Sequence, residues 1–368
     1  MRKNLIFVIS AMLIISAVLM VSCGEKSGSK ASADAPTIGV TIYRYDDNFM
    51  SFVRRNIESF ISGKAQLIMN DSQNNQAQQN DQVDVMLNKD TKALAINLVD
   101  PQAAQTIIDK AKAKDIPVVF FNKEASSQAM ASYDKAWYVG TKSEESGDMQ
   151  GEVVVKTWKA NPSWDKNGDG VIQYVLIKGE PGHPDAEART SYVTKYITEN
   201  GIKVQKLEEL NANWDTARAK DIVDAWIQKH GDKIEFIFSN NDSMALGALQ
   251  SVQSLGYNQG DNSKFIPIVG VDAIPDMLNE IKKGTIVGTV LNDALNQAKA
   301  VVDLSLNVAN GKEPLEGTQW TLDDVKAVRV PYVPITLDIY KLRKIHINNS
   351  HNKSGVLILI SPYFILIL

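Results

Sequence analysis

The chain has 368 residues, of which 44% are hydrophobic and 22% are charged, so it can bury a large core and is neither disordered nor fibrous. Its 39 basic and 43 acidic residues give a net charge of -4 without a cluster of Lys and Arg, which argues against nucleic acid as a partner. The only cysteine, Cys23, excludes an internal disulfide framework and a Cys-rich metal centre. This length predicts two domains.

The N-terminal segment predicts an export signal. Arg2 and Lys3 precede an apolar stretch at 5–21, and Cys23 follows almost directly. This arrangement resembles a bacterial lipoprotein signal, in which the cysteine is lipidated and becomes the new N-terminus. A membrane-spanning helix is the alternative, although the stretch is short for one. We therefore expect a signal peptide at 1–22, a flexible tether at 23–36, and a periplasmic or cell-surface lipoprotein that contacts the membrane through its anchor at Cys23.

The body of the chain alternates short β-rich runs with amphipathic helical stretches, which indicates βαβ units and parallel sheets. Eleven strands are too many for one doubly wound sheet, so we expect an α/β protein in two halves of about six strands each. The predicted strands lie at 37–43, 65–69, 93–99, 116–122, 137–140, 172–178, 202–208, 234–240, 265–272, 285–291 and 328–333. The predicted helices lie at 49–62, 76–88, 101–114, 143–159, 185–199, 215–228, 243–255, 274–282 and 294–310.

Polar residues recur where the predicted strands end. In an open α/β sheet the carboxyl ends of the strands face the ligand crevice, so these side chains are expected to converge. Asparagine offers donors and an acceptor and aspartate accepts strongly, which suits a ligand with several hydroxyl groups. Each residue alone could instead cap the next helix or form a turn, but the repetition favours a ligand site. The strand-end sets are 43–48, 70–71, 122, 178–180, 240–242, 272 and 292–293.

Residues 165–173 fit the first nine positions of an EF-hand calcium loop. Gly170 occupies the position where the loop needs glycine, but the position of the bidentate carboxylate is Leu176, and a strand follows instead of a helix. Glu235 is a candidate for the missing carboxylate if its strand lies alongside. A solvated turn is the alternative, but the spacing favours a structural Ca2+ site. The predicted ligands are Asp165, Asn167, Asp169, the carbonyl of Val171, Gln173 and Glu235.

Several long motifs resemble the periplasmic galactose- and glucose-binding proteins of sugar ABC transport and chemotaxis. The likeness covers roughly 38–333 and fades after about residue 334. The motifs that carry it are GVTIYRYDDNFM at 39–50, NLVDP at 97–101, VVFFNKE at 118–124, KGEPGHPDAEAR at 178–189, WDTA at 214–217, NND at 240–242, GVDA at 270–273 and LND at 291–293.

The resemblance implies the type I periplasmic binding protein fold. In this fold two Rossmann-like lobes with parallel sheets are joined by three hinge crossings. It also implies that a remote glutamate, here Glu235, completes the calcium loop. The implied crossings lie near 140–141, 293–294 and 330–333, so the first lobe comprises 37–140 with 294–329 and the second comprises 141–293 with 330–340.

The resemblance further implies a monosaccharide bound between the lobes. Phe49 and Trp214 would sandwich the pyranose, because the C–H faces of a sugar ring are apolar. Without the motifs, Trp214 would be interpreted as a core or interface residue and His183 as an ordinary loop histidine. The side chains implied to hydrogen-bond the hydroxyls and the ring oxygen are Asp47, Asn122, His183, Asp185, Arg189, Asn241, Asp272 and Asn292.

The leading hypothesis is a non-enzymatic, monomeric receptor that closes over D-glucose or D-galactose and delivers it to an ABC permease, with a chemoreceptor as a further candidate partner. One alternative is a glycoside-processing enzyme that uses paired carboxylates from Asp47, Asp185 and Asp272, although no general acid is evident. A second is a sugar-responsive repressor, but such regulators begin with a helix-turn-helix where this chain has an export signal. The residues do not distinguish glucose from galactose.

The C-terminal segment at 341–368 departs from the resemblance. It ends in a mostly apolar run, 355–368, which contains a proline and is too short to span a bilayer as a helix. Read-through or a frame error in the gene is the first interpretation, and a second membrane contact is the alternative. We assign this segment no function.

Overall fold

The computed structural model describes residues 31–339. The predicted leader, the lipidation site at Cys23 and the apolar segment at 341–368 lie outside the described residues. Between these limits the chain forms twelve strands in two six-stranded sheets, and helices cover both faces of each sheet. The predicted α/β fold with two parallel-dominated halves is therefore confirmed.

The strands divide between the sheets in chain order, with one exception at the end. They are β1 (Thr37–Ile42), β2 (Gln66–Asp71), β3 (Thr91–Ile96), β4 (Val118–Phe121), β5 (Ala136–Gly140), β6 (Val171–Lys178), β7 (Lys203–Asn211), β8 (Phe236–Ser239), β9 (Ile268–Val269), β10 (Gly288–Leu291), β11 (Ala327–Arg329) and β12 (Val333–Thr336). The first sheet has the order β11-β5-β4-β3-β1-β2 and is parallel throughout. The second has the order β12-β10-β9-β8-β6-β7, and only β12 runs antiparallel.

Helices connect most of the successive parallel strands, as right-handed crossover connections require. They are α1 (Asn48–Ile61), α2 (Gln76–Leu87), α3 (Ala104–Lys112), α4 (Ser127–Ala131), α5 (Ser143–Ala160), α6 (Pro184–Glu199), α7 (Thr216–His230), α8 (Asp242–Ser254), α9 (Pro275–Lys283) and α10 (Ala294–Ala309). The strands read as continuous apolar runs because both faces are covered. In β4, for example, Val119 and Phe121 face α1 and α10, whereas Val118 and Phe120 face α2 and α3.

Within residues 31–339 the chain crosses between the two lobes three times. The first crossing follows β5, because α5 packs on α6 and on strands of the second sheet. The second lies between β10 and α10, which packs on α1 of the first lobe. The third joins β11 of the first sheet to β12 of the second. These crossings bring Gly140 and Val330 together, and the Val330 amide donates to the Gly140 carbonyl at 2.7 Å.

The last predicted strand, 328–333, is wrong as a single element. Its first part pairs with β5, where Val328 is opposite Val139, and its end pairs with β10, where Val333 is opposite Leu291. Pro331 lies between the two parts and lacks the amide hydrogen that a continuous strand would use. The prediction also missed the short helix α4. No helix within residues 31–339 is long and apolar enough to cross a membrane.

Candidate functional site

A cavity lies between the lobes, at the carboxyl ends of strands from both sheets. All ten residues that the resemblance assigned to sugar binding line this one cavity, together with two residues that it did not assign. The lining residues are Tyr43, Asp47, Phe49, Met50, Asn122, His183, Asp185, Arg189, Trp214, Asn241, Asp272 and Asn292.

Three of the lining residues also cap helices that begin at the cavity. Asp47 caps α1 by accepting from the Met50 amide at 2.7 Å, and Asn241 caps α8 by accepting from the Met244 amide at 3.0 Å. His183 caps α6, because its Nδ1 accepts from the Asp185 amide at 3.1 Å. Capping and cavity lining, which the sequence presented as alternatives, therefore occur in the same side chains. Each cap fixes the direction of the atoms that still face the cavity.

Two other strand-end residues serve only a turn or a helix cap. Asp71 accepts from the amides of Tyr45 and Gln73 at 3.2 and 2.9 Å, and it does not line the cavity. Asp293 caps α10 by accepting from the Asn296 amide at 3.0 Å. The repeated pattern thus marked the correct edge of the sheets, but individual positions divide between ligand-facing and local roles.

A buried ion pair holds the centre of the second lobe's cavity wall. The Arg189 guanidinium donates to Asp185 at 3.0 Å, to the Asn240 carbonyl at 2.8 Å and to the hydroxyls of Ser146 and Tyr332 at 3.2 Å each. Arg189 and Asp185 are 3% and 4% exposed. Burial alone would lower the pKa of Arg189, but the Tyr332 phenol and the Asp185 carboxylate raise it above its usual value. Arg189 therefore stays charged, and it has few hydrogens left for a ligand.

Two aromatic side chains, Phe49 and Trp214, line the cavity from opposite lobes. Phe49 lies in the first turn of α1, and Trp214 lies in the loop after β7 with a left-handed backbone, at a φ of 67°. The Trp214 indole packs edge-on to the His183 ring, with 5.1 Å between ring centroids. Gly179 makes room for it, since a Cβ there would lie 2.1 Å from the indole. His183 and Gly179 together therefore hold the indole in place at the cavity.

Asp272 is aimed into the cavity by an unusual backbone. Its φ is 129° and that of Ala273 is 56°, both of which are strained for residues other than glycine. Burial raises the pKa of the Asp272 carboxyl well above its usual value, Arg189 opposes that rise, and the nearby Asp242 adds to it. Burial likewise raises the pKa of Asp242 to about 7. Asp272 also accepts from the Asn292 amide group at 3.2 Å, so the two side chains enter the cavity together.

The lobes touch each other around the cavity. Lys123 from the first lobe is 1% exposed and donates to Glu180 of the second at 2.9 Å. The Arg44 guanidinium donates to the Asn213 carbonyl, next to Trp214, at 3.2 Å. These contacts show the lobes closed on the cavity. Burial lowers the pKa of Lys123, and Glu180 opposes that effect.

The sequence reasoning missed Tyr43 and Met50 as lining residues. Tyr43 directly follows β1, and its hydroxyl donates to Asp47 at 2.6 Å, so it positions a residue that was predicted. Its place in the first strand-end set was a usable signal. Met50 carries no polar group and follows Phe49 on a helix, so nothing in its residue type distinguishes it from a core methionine.

The calcium-like loop lies at the start of β6, and Glu235 is beside it as the sequence required. Glu235 accepts from the amides of Lys166 and Gln173 at 2.7 and 3.1 Å, while Asp165 accepts from three amides of the loop itself. Within residues 31–339 no three His, Cys, Asp or Glu side chains form a metal-binding cluster. The Gln173 side-chain oxygen is buried without a hydrogen-bond partner, which a cation would satisfy. The mixed carboxylate, amide and carbonyl oxygens fit Ca2+.

A family model described as a periplasmic binding protein domain matches residues 38–313. This chain belongs to the periplasmic binding protein family. It is 54% identical over 321 residues to the D-galactose/methyl-galactoside binding periplasmic protein MglB of Haemophilus influenzae, a match that covers 86% of this chain and 94% of the relative. It is also 24% identical over 312 residues to the ribose import binding protein of Bacillus subtilis, covering 83% and 94% of the two chains.

Solved structures of solute-binding proteins share the fold of this periplasmic binding protein. A Bacillus halodurans protein with bound myo-inositol superposes with a TM-score of 0.69 at 24% identity, covering 87% of this chain and 99% of that one. An Actinobacillus succinogenes protein with bound D-allose superposes with a TM-score of 0.70 at 20% identity, covering 83% and 99%. Membership of this family makes the chain a binding protein and not an enzyme, so the glycosidase alternative is wrong.

Replacement of His183 by asparagine is expected to change how stability depends on pH. Burial, together with the charges of Lys123 and Arg189, lowers the pKa of His183 well below its usual value. Below about pH 6.5 the unfolded histidine binds a proton that the folded one does not, so the free energy of unfolding falls as the pH drops. Asparagine keeps the helix cap and does not titrate. Urea unfolding at pH 7 and 5.5 should show that the parent loses about 1 kcal/mol more than His183→Asn.

The control for this experiment is Ser126→Asn, because Ser126 also caps a helix, α4, by accepting from the Ala129 amide at 3.2 Å. Neither serine nor asparagine titrates in this range, so that change is not expected to flatten the pH dependence. Equal slopes in the parent and in His183→Asn would show that the buried imidazole accepts a proton in the folded state.

Proposed function

We propose that this periplasmic binding protein binds a hexose, D-galactose or D-glucose, in the interlobe cavity for delivery to an ABC permease. The single observation that supports this most is the convergence of ten residues from both lobes on one cavity between them. The Haemophilus influenzae relative, named for binding D-galactose and methyl-galactoside, supports the choice of sugar.

The cavity wall has the donors and acceptors that a ring of hydroxyl groups needs. Each sugar hydroxyl donates one hydrogen bond and accepts others. Asp185 and Asp272 offer carboxylate oxygens, and Asn122 and Asn241 offer amide groups. His183 uses Nδ1 for its helix cap, so its neutral ring keeps the hydrogen on Nε2 and donates with it. A ligand with several neighbouring hydroxyls satisfies these groups, whereas an apolar ligand would leave them buried without partners.

Phe49 and Trp214 supply the apolar surfaces for the two faces of the pyranose. Galactose and glucose both present C–H groups on their ring faces, and aromatic rings stack on such faces. Because the two rings belong to different lobes, a stacked sugar contacts both lobes at once. A ligand that binds the closed form better than the open form shifts the equilibrium towards closure.

The same proposal implies where the protein acts in the cell and which proteins it meets there. A receptor of this kind is exported, acts as a monomer, and presents its closed form to the permease. A chemoreceptor is a further candidate partner, since both would recognise the same closed surface formed by the two lobes.

Replacement of Trp214 by alanine is expected to lower hexose affinity about a hundredfold, because loss of a buried aromatic partner costs about 3 kcal/mol. Isothermal titration calorimetry of the parent with D-galactose, D-glucose, D-ribose and myo-inositol establishes the sugar preference first. Trp320→Ala is the control, since Trp320 lies in the first lobe away from the cavity and its indole donates to Asp303. Absence of binding heat with either hexose would refute the proposed function, and unchanged affinity in Trp214→Ala would refute the stacking role.

We also propose that the loop at 165–173, with Glu235, binds Ca2+ as a structural ion. Asp165, Asn167, Asp169, Gln173 and the Val171 carbonyl would supply the loop oxygens. The orphan oxygen of Gln173 and the position of Glu235 beside the loop support this assignment. The ion would tie the start of β6 to the start of β8, because Glu235 directly precedes β8.

Calcium is expected to raise thermal stability, and Glu235→Gln is expected to abolish most of that effect. An ion that binds only the folded state stabilises it by about 2.7 kcal/mol at a hundredfold excess over its dissociation constant. Differential scanning calorimetry with Ca2+ and with a chelator measures this directly. Glu280→Gln is the matched control, because Glu280 is a partly buried glutamate of the same lobe that accepts from Thr285 and Lys283. Equal melting temperatures with Ca2+ and with chelator would refute the calcium site and show that the loop is a turn without a bound ion.

We propose finally that Cys23 carries a lipid anchor. In cells, Cys23→Ser is expected to move the protein from the membrane fraction to the soluble fraction and to abolish incorporation of labelled fatty acid, since the acyl chains hold it at the bilayer. Unchanged fractionation and labelling would refute the anchor.

A further inference from the structure

Tyr332 lies in the third crossing between the lobes and is bonded to the first crossing. Its side chain is 2% exposed, and Thr141, which directly follows β5, donates to the Tyr332 hydroxyl at 2.9 Å. Rotation of one lobe against the other has to change the backbone of both crossings. The bond between Thr141 and Tyr332 is therefore sensitive to the hinge angle, because a hydrogen bond weakens steeply beyond its narrow range of distance and angle.

The Tyr332 hydroxyl also bonds to Arg189, a residue of the cavity wall. Arg189 donates to the Tyr332 hydroxyl at 3.2 Å, while Tyr332 itself does not line the cavity. A tyrosine hydroxyl has one hydrogen and two lone pairs, so it can serve both neighbours. Burial and the nearby Asp185 raise the pKa of Tyr332 to about 12, and the phenol keeps its proton.

Asp185, the ionic partner of Arg189, is also bonded to the first crossing. It accepts from the Ser143 hydroxyl at 2.5 Å, and Ser143 begins α5 immediately after that crossing. Each member of the buried ion pair therefore makes one hydrogen bond with the hinge region: Asp185 accepts from Ser143, and Arg189 donates to Tyr332. The pair cannot keep its present geometry if the crossings change shape.

The first crossing is also hydrogen-bonded to the first lobe, through Arg329. Arg329, the last residue of β11, donates to the Thr141 carbonyl at 2.8 Å. The same guanidinium makes a bidentate pair with Glu124 at 2.7 and 2.6 Å. Glu124 lies two residues after Asn122, which lines the cavity. A continuous route thus runs around the hinge from Asn122 in the first lobe to Asp185 in the second. It follows the backbone from 122 to 124 and from 141 to 143, and hydrogen bonds join these segments to each other through Arg329 and to Asp185.

We propose that Tyr332 is a positioning residue for ligand binding, whose hydroxyl couples the hinge crossing at Thr141 to the guanidinium of Arg189. Arg189 takes its ligand-facing position only when the hinge is closed. This inference rests on the proposed sugar-binding function for its main test, but the hinge coupling also has a test without sugar.

The test is a double-mutant cycle of Tyr332→Phe and Thr141→Val, each of which removes one hydroxyl with little change of shape. Calorimetry and stopped-flow dissociation measure the affinity and the release rate of the bound hexose. We expect each single change to weaken affinity about tenfold through faster release, because a buried hydrogen bond to a charged group is lost or loosened. The double variant is expected to lose clearly less than the product of the two single losses, since both changes break the same connection.

Tyr133→Phe is the matched control. Tyr133 is 7% exposed, and its hydroxyl donates to the Ile116 carbonyl at 3.2 Å, in the first lobe and away from the crossings. Both changes should lower the melting temperature, Tyr332→Phe by more because it leaves a hydrogen of Arg189 unpaired, while only Tyr332→Phe weakens sugar binding. Affinity within twofold of the parent in Tyr332→Phe, or simple multiplication of the single effects in the double variant, would overturn the proposal.

A sugar-free measurement separates this proposal from the proposed function. With Cys23→Ser as the background, two introduced cysteines, one on an exposed position of each lobe, carry spin labels for distance measurement. Tyr332→Phe and Thr141→Val are each expected to shift the distance distribution in the same direction, and the double variant no further. A parent that binds no hexose would refute the sugar-binding function, whereas unchanged distances in both variants would overturn the hinge coupling.

Discussion

The guanidinium of Arg189 is buried in the cavity wall and needs hydrogen-bond partners for its N–H groups. This requirement organises much of the site. An isolated buried charge costs several kcal/mol, so the side chain needs partners on every side. Asp185, Ser146, Tyr332 and the Asn240 carbonyl provide them, and they come from α6, α5, the third crossing and the end of β8. A charge placed there fixes the relative positions of these elements, because loss of any one partner leaves a buried donor unpaired.

Polar residues at the ends of parallel strands serve two purposes in this fold. Each helix that follows a strand begins with unpaired amides, and a capping side chain stabilises it by about 1 kcal/mol. Asp47 and Asn241 use one oxygen for that purpose and line the cavity with the rest of the side chain. A side chain held by its cap loses little further freedom when a ligand binds, which reduces the entropic cost of recognition.

The fold was predictable from the sequence because buried parallel strands appear as short apolar runs that alternate with amphipathic helices. The predictions that failed concern which strands pair with each other across long stretches of the chain. The run 328–333 has strand composition throughout, and only tertiary structure shows that Val328 and Val333 belong to different sheets. The convergence of Asn122 and Asp272 followed from the strand-end rule and the motifs. The bonds that join Lys123 to Glu180 and Arg189 to Tyr332 connect residues far apart in the chain, so local patterns carry no sign of them.

The polar contacts between the two lobes contribute little to the free energy of closure. The Glu180 partner of Lys123 remains a quarter exposed, and the Arg44 bond to Asn213 is made at the cavity rim, where water competes. Such polar contacts guide how the lobes meet but do not by themselves favour the closed state strongly. The cavity, by contrast, places carboxylates and amides of both lobes where one ligand can bond to them at once. A ligand that bonds to both lobes at once therefore favours the closed form over the open one, by as much as it binds the closed form more tightly.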